Sequence, residues 1–263
     1  MSIETSTTPN HRDLANVWWR HLFRRTATAS SSDPSPCAVP GLCGAEAAAV
    51  YYDQRRAGDF YEFLRVGRSR LLFALLDMAG RRGDTREILC RAQKAFRETA
   101  QRGFAGDDVN ETTAMMELCF VVNCSILHSG IRACPAFLGC YNEELGTICY
   151  ANAGHPPALV RDRTGITYLE ATGLPLGLFS HVPQSASTCA LLPGGALLVV
   201  SRGIVEAECH GIEFGVEGAA AILQCESGLG AHDLCLAILR SAENFMRLPL
   251  THNDVTALAL VRK

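Results

Sequence analysis

The sequence predicts an α+β sandwich of antiparallel strands, and three observations carry that expectation. Two amphipathic helical stretches, at 85–101 and 110–127, lie between blocks of short apolar runs. From Gly130 onward such runs follow one another at turn-sized intervals, as ACPAFLGCYN, GTICYANAG, PPALVRD, GITYLEA, STCALLP and GALLVVSRG. No regular strand–helix alternation links them, which favours antiparallel sheets with segregated helices over a parallel βαβ repeat.

In chain order, residues 11–25 (HRDLANVWWRHLFRR) place Leu14, Val17, Trp18 and Leu22 on one face of an amphipathic helix with basic residues around it. The stretch from Thr26 to Gly41 is rich in Ser, Thr, Ala and Pro and reads as a linker. The expected organisation is an N-terminal helix at 1–25, a linker at 26–40 and one domain at 41–263. Within the domain, AEAAAVYYDQ, FYEFLRVG and SRLLFALLDMAG read as strands, the last two joined by a turn at Gly67. Asp84 and Asp108 are expected to cap or immediately precede the two helices. A final helical zone spans 218–245, and VTALALVRK closes the chain as a buried strand.

Composition narrows the function. Hydrophobic residues make up 48% of the 263 and charged residues 19%, a globular balance. A net charge of -3 supplies no general attraction for nucleic acid or anionic lipid, so neither partner is expected. No apolar run reaches the roughly 18 residues that cross a bilayer, and MSIETSTTPNHRD lacks the apolar core of a signal peptide. The expected location is the cytoplasm. Twelve cysteines are scattered through apolar runs at spacings that match no common zinc pattern, and they read as buried, reduced thiols.

Several short segments occur in one order across the main domain: Gly58–Asp59–Phe60–Tyr61–Glu62–Phe63, Leu76–Asp77–Met78–Ala79–Gly80, YANAGHPPALV from Tyr150, GLPLGLF from Gly173, LPGGALLVVSRGIVEA from Leu192, and NDVTALAL from Asn253. Together they resemble the GDFYDF, GDVSGKG, PGD-LLLYTDGVTEA and DDIT elements of the SpoIIE/RsbU branch of the metal-dependent serine/threonine phosphatases (PPM). The resemblance implies a four-layer α/β/β/α domain. It also implies two Mn²⁺ or Mg²⁺ ions held by carboxylates at one end of the sandwich, where a metal-activated water attacks a phosphoserine or phosphothreonine.

Residue by residue, the implied metal site is incomplete. Asp59 and Asp77 stand where the family has aspartates, and the resemblance gives the Met78 carbonyl a place beside the second ion. The aspartate of TDG is replaced by Arg202, and the first aspartate of DDIT by Asn253; Asp254 survives at a position that is not usually a ligand. A guanidinium about 4 Å from a divalent ion repels it by about 8 kcal/mol at an effective dielectric near 20, about six powers of ten in affinity. Arg202 is therefore expected to replace an ion and to pair with Asp77 or Asp59. Arg81 and Arg82 are candidate phosphate contacts, set against the plainer reading of solvated loop charges. His155 in AGHPP reads as structural, since no GxSxG elbow accompanies it.

Two functional readings follow. The first is a pseudophosphatase or weakly active regulator that binds a phosphoprotein. The second is an active Mn- or Mg-dependent phosphatase acting on a phosphorylated STAS-type regulator, the kind of partner the resemblance suggests. A homodimer through the N-terminal helix is compatible with both.

Overall fold

The computed structural model describes residues 39–52, 58–78, 82–127, 133–181, 184–246 and 254–263. The helix expected at 11–25 and nearly all of the expected linker lie outside them, as do Arg81 and Asn253.

The chain begins with three strands, β1 (Ala45–Tyr52), β2 (Gly58–Val66) and β3 (Arg70–Met78). Two helices follow, α1 (Arg82–Phe104) and α2 (Glu111–Ile126). Then come β4 (Ala136–Asn142), β5 (Thr147–Ala153), β6 (Ala158–Arg161), β7 (Ile166–Leu169), β8 (Ser187–Ala190) and β9 (Ala196–Val200). A four-residue helix α3 (Arg202–Val205) and the short pair β10 (Glu208–Cys209) and β11 (Ile212–Glu213) lead to α4 (Gly215–Cys225), α5 (Ala231–Met246) and β12 (Val255–Arg262). The first large sheet has the order β2-β3-β4-β5-β8 and the second β1-β12-β9-β6-β7. All neighbours within them are antiparallel.

Side-chain alternation turns these sheets into four layers. Leu72, Ala74, Leu76 and Met78 of β3 share a buried cluster with Phe96, Phe104, Met115, Leu118 and Val122 of α1 and α2. The alternate residues Leu71, Phe73 and Leu75 share a second cluster with Leu197, Val199, Leu258 and Leu260 of the other sheet. Leu198, Val200, Ala257 and Ala259 face outward again, into a third cluster with Leu223, Leu234, Ile238 and Leu239 of α4 and α5. A strand covered on both faces needs apolar residues at every position, which is why β3 reads as one continuous apolar run.

Buried arginines hold the helices to the sheets. Arg70 donates from Nη1 to the carbonyls of Phe104 and Gly106, and from Nε to Glu111 at 2.7 Å, so one side chain serves the end of α1 and the start of α2. Arg161 donates to the carbonyls of Leu223 and Glu226 at the end of α4 and to that of Gly194.

Several expectations are corrected. The last helical zone is two helices, interrupted around Gly228 and Gly230. Asn110 caps α2, its side chain accepting from the Thr113 amide at 3.0 Å; Asp108 lies two residues too early for that geometry. Asp84 is the third residue of α1, which starts at Arg82, so Arg82 belongs to a helix and not to a loop. GALLVVSRG stops being a strand at Val200 and turns into α3. Of the cysteines expected to be buried, Cys119, Cys134, Cys140, Cys149 and Cys235 are, whereas Cys43, Cys124 and Cys225 are exposed near element ends. Among the described residues no helix is long and apolar enough to cross a membrane.

Candidate functional site

Strand register delivers the acidic residues to one end of the sandwich. β2 and β3 pair with Phe63 opposite Phe73, Tyr61 opposite Leu75 and Asp59 opposite Asp77. Because side chains alternate, the row facing the other sheet runs from aromatic and apolar pairs to a pair of carboxylates at the strand ends. The second sheet does the same: the inter-sheet row of β12 runs Leu260, Leu258, Thr256, and that of β9 runs Leu197, Val199, then Ser201.

Ser201 and Thr256 lock this edge together. The Ser201 amide donates to the Thr256 carbonyl and the Thr256 amide donates to Ser201 Oγ, both at 2.9 Å. Gly203 then brings the chain against the Asp254 carbonyl, so closely that any Cβ there would collide with it. The serine, arginine, glycine and Asp254 are thereby gathered at the ends of Asp59 and Asp77.

Arg202 reaches across to the first sheet. Its Nε donates to Asp77 Oδ2 at 2.7 Å and its Nη2 to Asp77 Oδ1 at 3.0 Å, a two-point pairing that occupies both carboxylate oxygens. The Asp77 side chain is 7% exposed and that of Arg202 39%. Of the two carboxylates expected as partners of Arg202, Asp77 is the one it meets; Asp59 Oδ2 accepts from Thr256 Oγ1 at 2.8 Å. Burial, and then the neighbouring Asp77 charge, push the Asp59 carboxyl up to about 8, against the opposing hydrogen bonds from Thr256 and Ser201. Asp254 is also buried and accepts from the Tyr51 hydroxyl at 3.2 Å. Met78 ends β3 with its side chain buried toward the helices. The side chain of Arg82 is not among those described.

The sequence did not single out Thr256, Ser201 or Tyr51, although Thr256 stands two residues after Asp254 and a period of two puts both on one face. His155 also belongs to this end. Its neighbour Gly154 bridges to Ala136, beside Pro135, whose carbonyl accepts from the Asp77 amide. His155 Nδ1 lies 3.0 Å from the Pro156 carbonyl, which can only accept, so Nδ1 carries the proton. Buried Nε2 is then a bare acceptor with no partner among the described residues. Burial lowers the imidazole to about 4, so it is neutral near pH 7.

The residues around Asp77 do not fit the Mn²⁺ or Mg²⁺ that the resemblance implies. Both oxygens of that carboxylate hold a guanidinium, and the carboxyl beside it is driven toward its neutral form. Among the described residues no group of three His, Cys, Asp or Glu side chains is arranged to hold a metal.

Two face-to-face antiparallel sheets, helices outside each, and paired aspartates at one end define a PP2C-like phosphatase fold of the PPM type. The family described as Stage II sporulation protein E (SpoIIE) matches residues 67–263, and the chain belongs to that family. Phosphoserine phosphatase RsbP of Bacillus subtilis (strain 168) is 26% identical over 160 residues, a match covering 59% of this chain and 38% of RsbP. Among solved structures, the RsbU and RsbW domains of Rv1364c from Mycobacterium tuberculosis align with a TM-score of 0.70 at 23% identity, covering 86% of this chain and 63% of that one. The SiaA-PP2C domain of Pseudomonas aeruginosa aligns at 0.68 and 15% identity, covering 82% and 84%. At such identities the structural likeness speaks for the fold alone.

Proposed function

We propose that this chain is a phosphatase-fold regulator that recognises a phosphoprotein without hydrolysing it efficiently. The observation that supports this reading above all others is the two-point pairing of Arg202 with Asp77, which puts a fixed positive charge where the family's chemistry calls for a cation-binding carboxylate. Asn253, in place of a second aspartate, weakens the same half of the site. The relative RsbP is a phosphoserine phosphatase by name, so a phosphoserine- or phosphothreonine-bearing regulator of STAS type is the proposed partner. Arg81 and Arg82, ahead of and at the start of α1, are its proposed phosphate contacts. The proposed organisation is a phosphatase-like domain at 41–263 behind a dimerising helix at 1–25 and a linker at 26–40, acting in the cytoplasm.

Calorimetric titration with Mn²⁺, run beside hydrolysis of a phosphoserine peptide, tests this reading. The wild-type chain should bind no ion tightly and turn over little substrate. Arg202→Asp combined with Asn253→Asp should gain Mn²⁺ binding, because the site then gains two carboxylates and loses its cation. Tight binding of two ions by the wild type, with sustained turnover, would replace this reading with that of an active phosphatase, in which Asp254 is the remaining carboxylate to serve as a ligand.

A further inference from the structure

The disagreement between the site and a divalent ion has an architectural side. Asp59 and Asp77 are direct cross-strand neighbours in the first sheet, an arrangement that like charges oppose. Ser201 and Thr256 are hydrogen-bonded neighbours in the second sheet. The two pairs face each other, and each carboxylate is answered by a donor from the opposite sheet: Asp59 by Thr256, and Asp77 by Arg202, the residue after Ser201. Away from this end the facing surfaces are apolar and need no specific partner. Here they are polar and buried, and Asp77 without a cation would be an uncompensated buried charge.

We propose that Arg202 is a built-in counter-cation that stitches the two sheets together at this end, so that the site assembles without a metal ion. This rests on the reading above in one respect, the absence of an ion at Asp77, and adds that the guanidinium carries out the tethering. Arginine suits the role better than lysine because its planar fork engages both carboxylate oxygens at once, as observed here. Helix α3 begins at Arg202 itself, and Gly203 packs against the Asp254 backbone, so the tether is anchored directly beside β12.

Thermal unfolding of the full chain in EDTA and in Mn²⁺ tests the proposal. The wild-type midpoint should be the same in both. Arg202→Met should lower it by roughly 5–10 °C, because it strands Asp77, and adding Asp77→Leu should recover most of that loss. Such recovery distinguishes a tether from a merely bulky side chain. Arg202→Lys, which keeps the charge and the fold, should speed amide exchange at Asp77 and Thr256 while leaving Leu71 and Leu260, toward the opposite ends of the same strands, unchanged. Arg202→Asp with Asn253→Asp should make the midpoint rise with Mn²⁺ and fall in EDTA. An unchanged midpoint in Arg202→Met, a double variant no better than the single one, or uniform exchange in Arg202→Lys would each overturn the tether while leaving the non-hydrolysing reading intact. A wild-type midpoint that rises with Mn²⁺ would overturn the tether, and whether the non-hydrolysing reading falls with it is decided by the turnover of the phosphoserine peptide.

Discussion

Thr256 donates its hydroxyl to Asp59 at 2.8 Å from the facing sheet, against a carboxyl that burial and Asp77 drive toward its neutral form. It marks Asp59 as a group with a large difference in proton affinity between the folded and unfolded chain.

Stability should therefore fall with rising pH above about 6.5. Asp59 titrates near its ordinary value of 3.8 when unfolded and at about 8 when folded, so the folded state holds the extra proton between those limits and loses that advantage as pH rises through the interval. His155 works the other way: its folded value of about 4 lies below the ordinary 6.5, so its contribution is lost as pH falls through that lower interval. The two slopes oppose each other at acidic pH. Between about 6.5 and 7.5 the Asp59 contribution outweighs the fading one of His155, with a net slope of roughly 0.6–0.9 kcal/mol per pH unit. Urea unfolding across this range should show the decline in wild type and not in Asp59→Asn; equal slopes in the two proteins would exclude Asp59 as its source.

Gly139→Ala should destabilise the fold by about 1–3 kcal/mol through overpacking. Gly139 lies opposite Phe73 in the β3–β4 register, and an added methyl would run into the Phe73 ring. That ring is held in turn by stacking on Phe137, with centroids 6.3 Å apart. Combining Gly139→Ala with Phe73→Leu should cost less than the sum of the single changes, and chemical denaturation of the three variants measures this directly. Strict additivity would mean that the ring is not what the methyl meets.

Asn123→Ala should free the segment from Gly173 to Phe179 from α2. The buried Asn123 side chain accepts from the Gly177 amide at 2.8 Å and donates to the Phe179 carbonyl at 3.0 Å. Losing both bonds leaves two part-buried backbone groups without their partner, at about 1 kcal/mol. Hydrogen exchange at Gly177 should accelerate well beyond any change in β3; a change spread evenly over both would contradict a local pin.

Much of this molecule was legible in its sequence because strand and helix periods are local. The apolar run from Leu71 to Leu76 announced a doubly covered strand, and the ordered motifs around Asp59, Asp77 and His155 announced the family. Replacement of a family aspartate by Arg202 was visible as a charge reversal. Helix ends were less legible: Asp108 and Asn110 are both good caps in isolation, and packing of α2 on the sheet chose between them.

What the sequence alone determined is therefore the layer order and the set of charged groups brought to the strand ends. Which group answers which was decided by tertiary structure. Arg202 meets Asp77 across 125 residues of chain, and Thr256 meets Asp59 across 197. Those pairings depend on how one sheet is seated on the other. That seating is set by the fit of Phe73, Phe137, Val199 and Leu258 in the buried layer between the sheets, a many-body packing condition that no local period encodes.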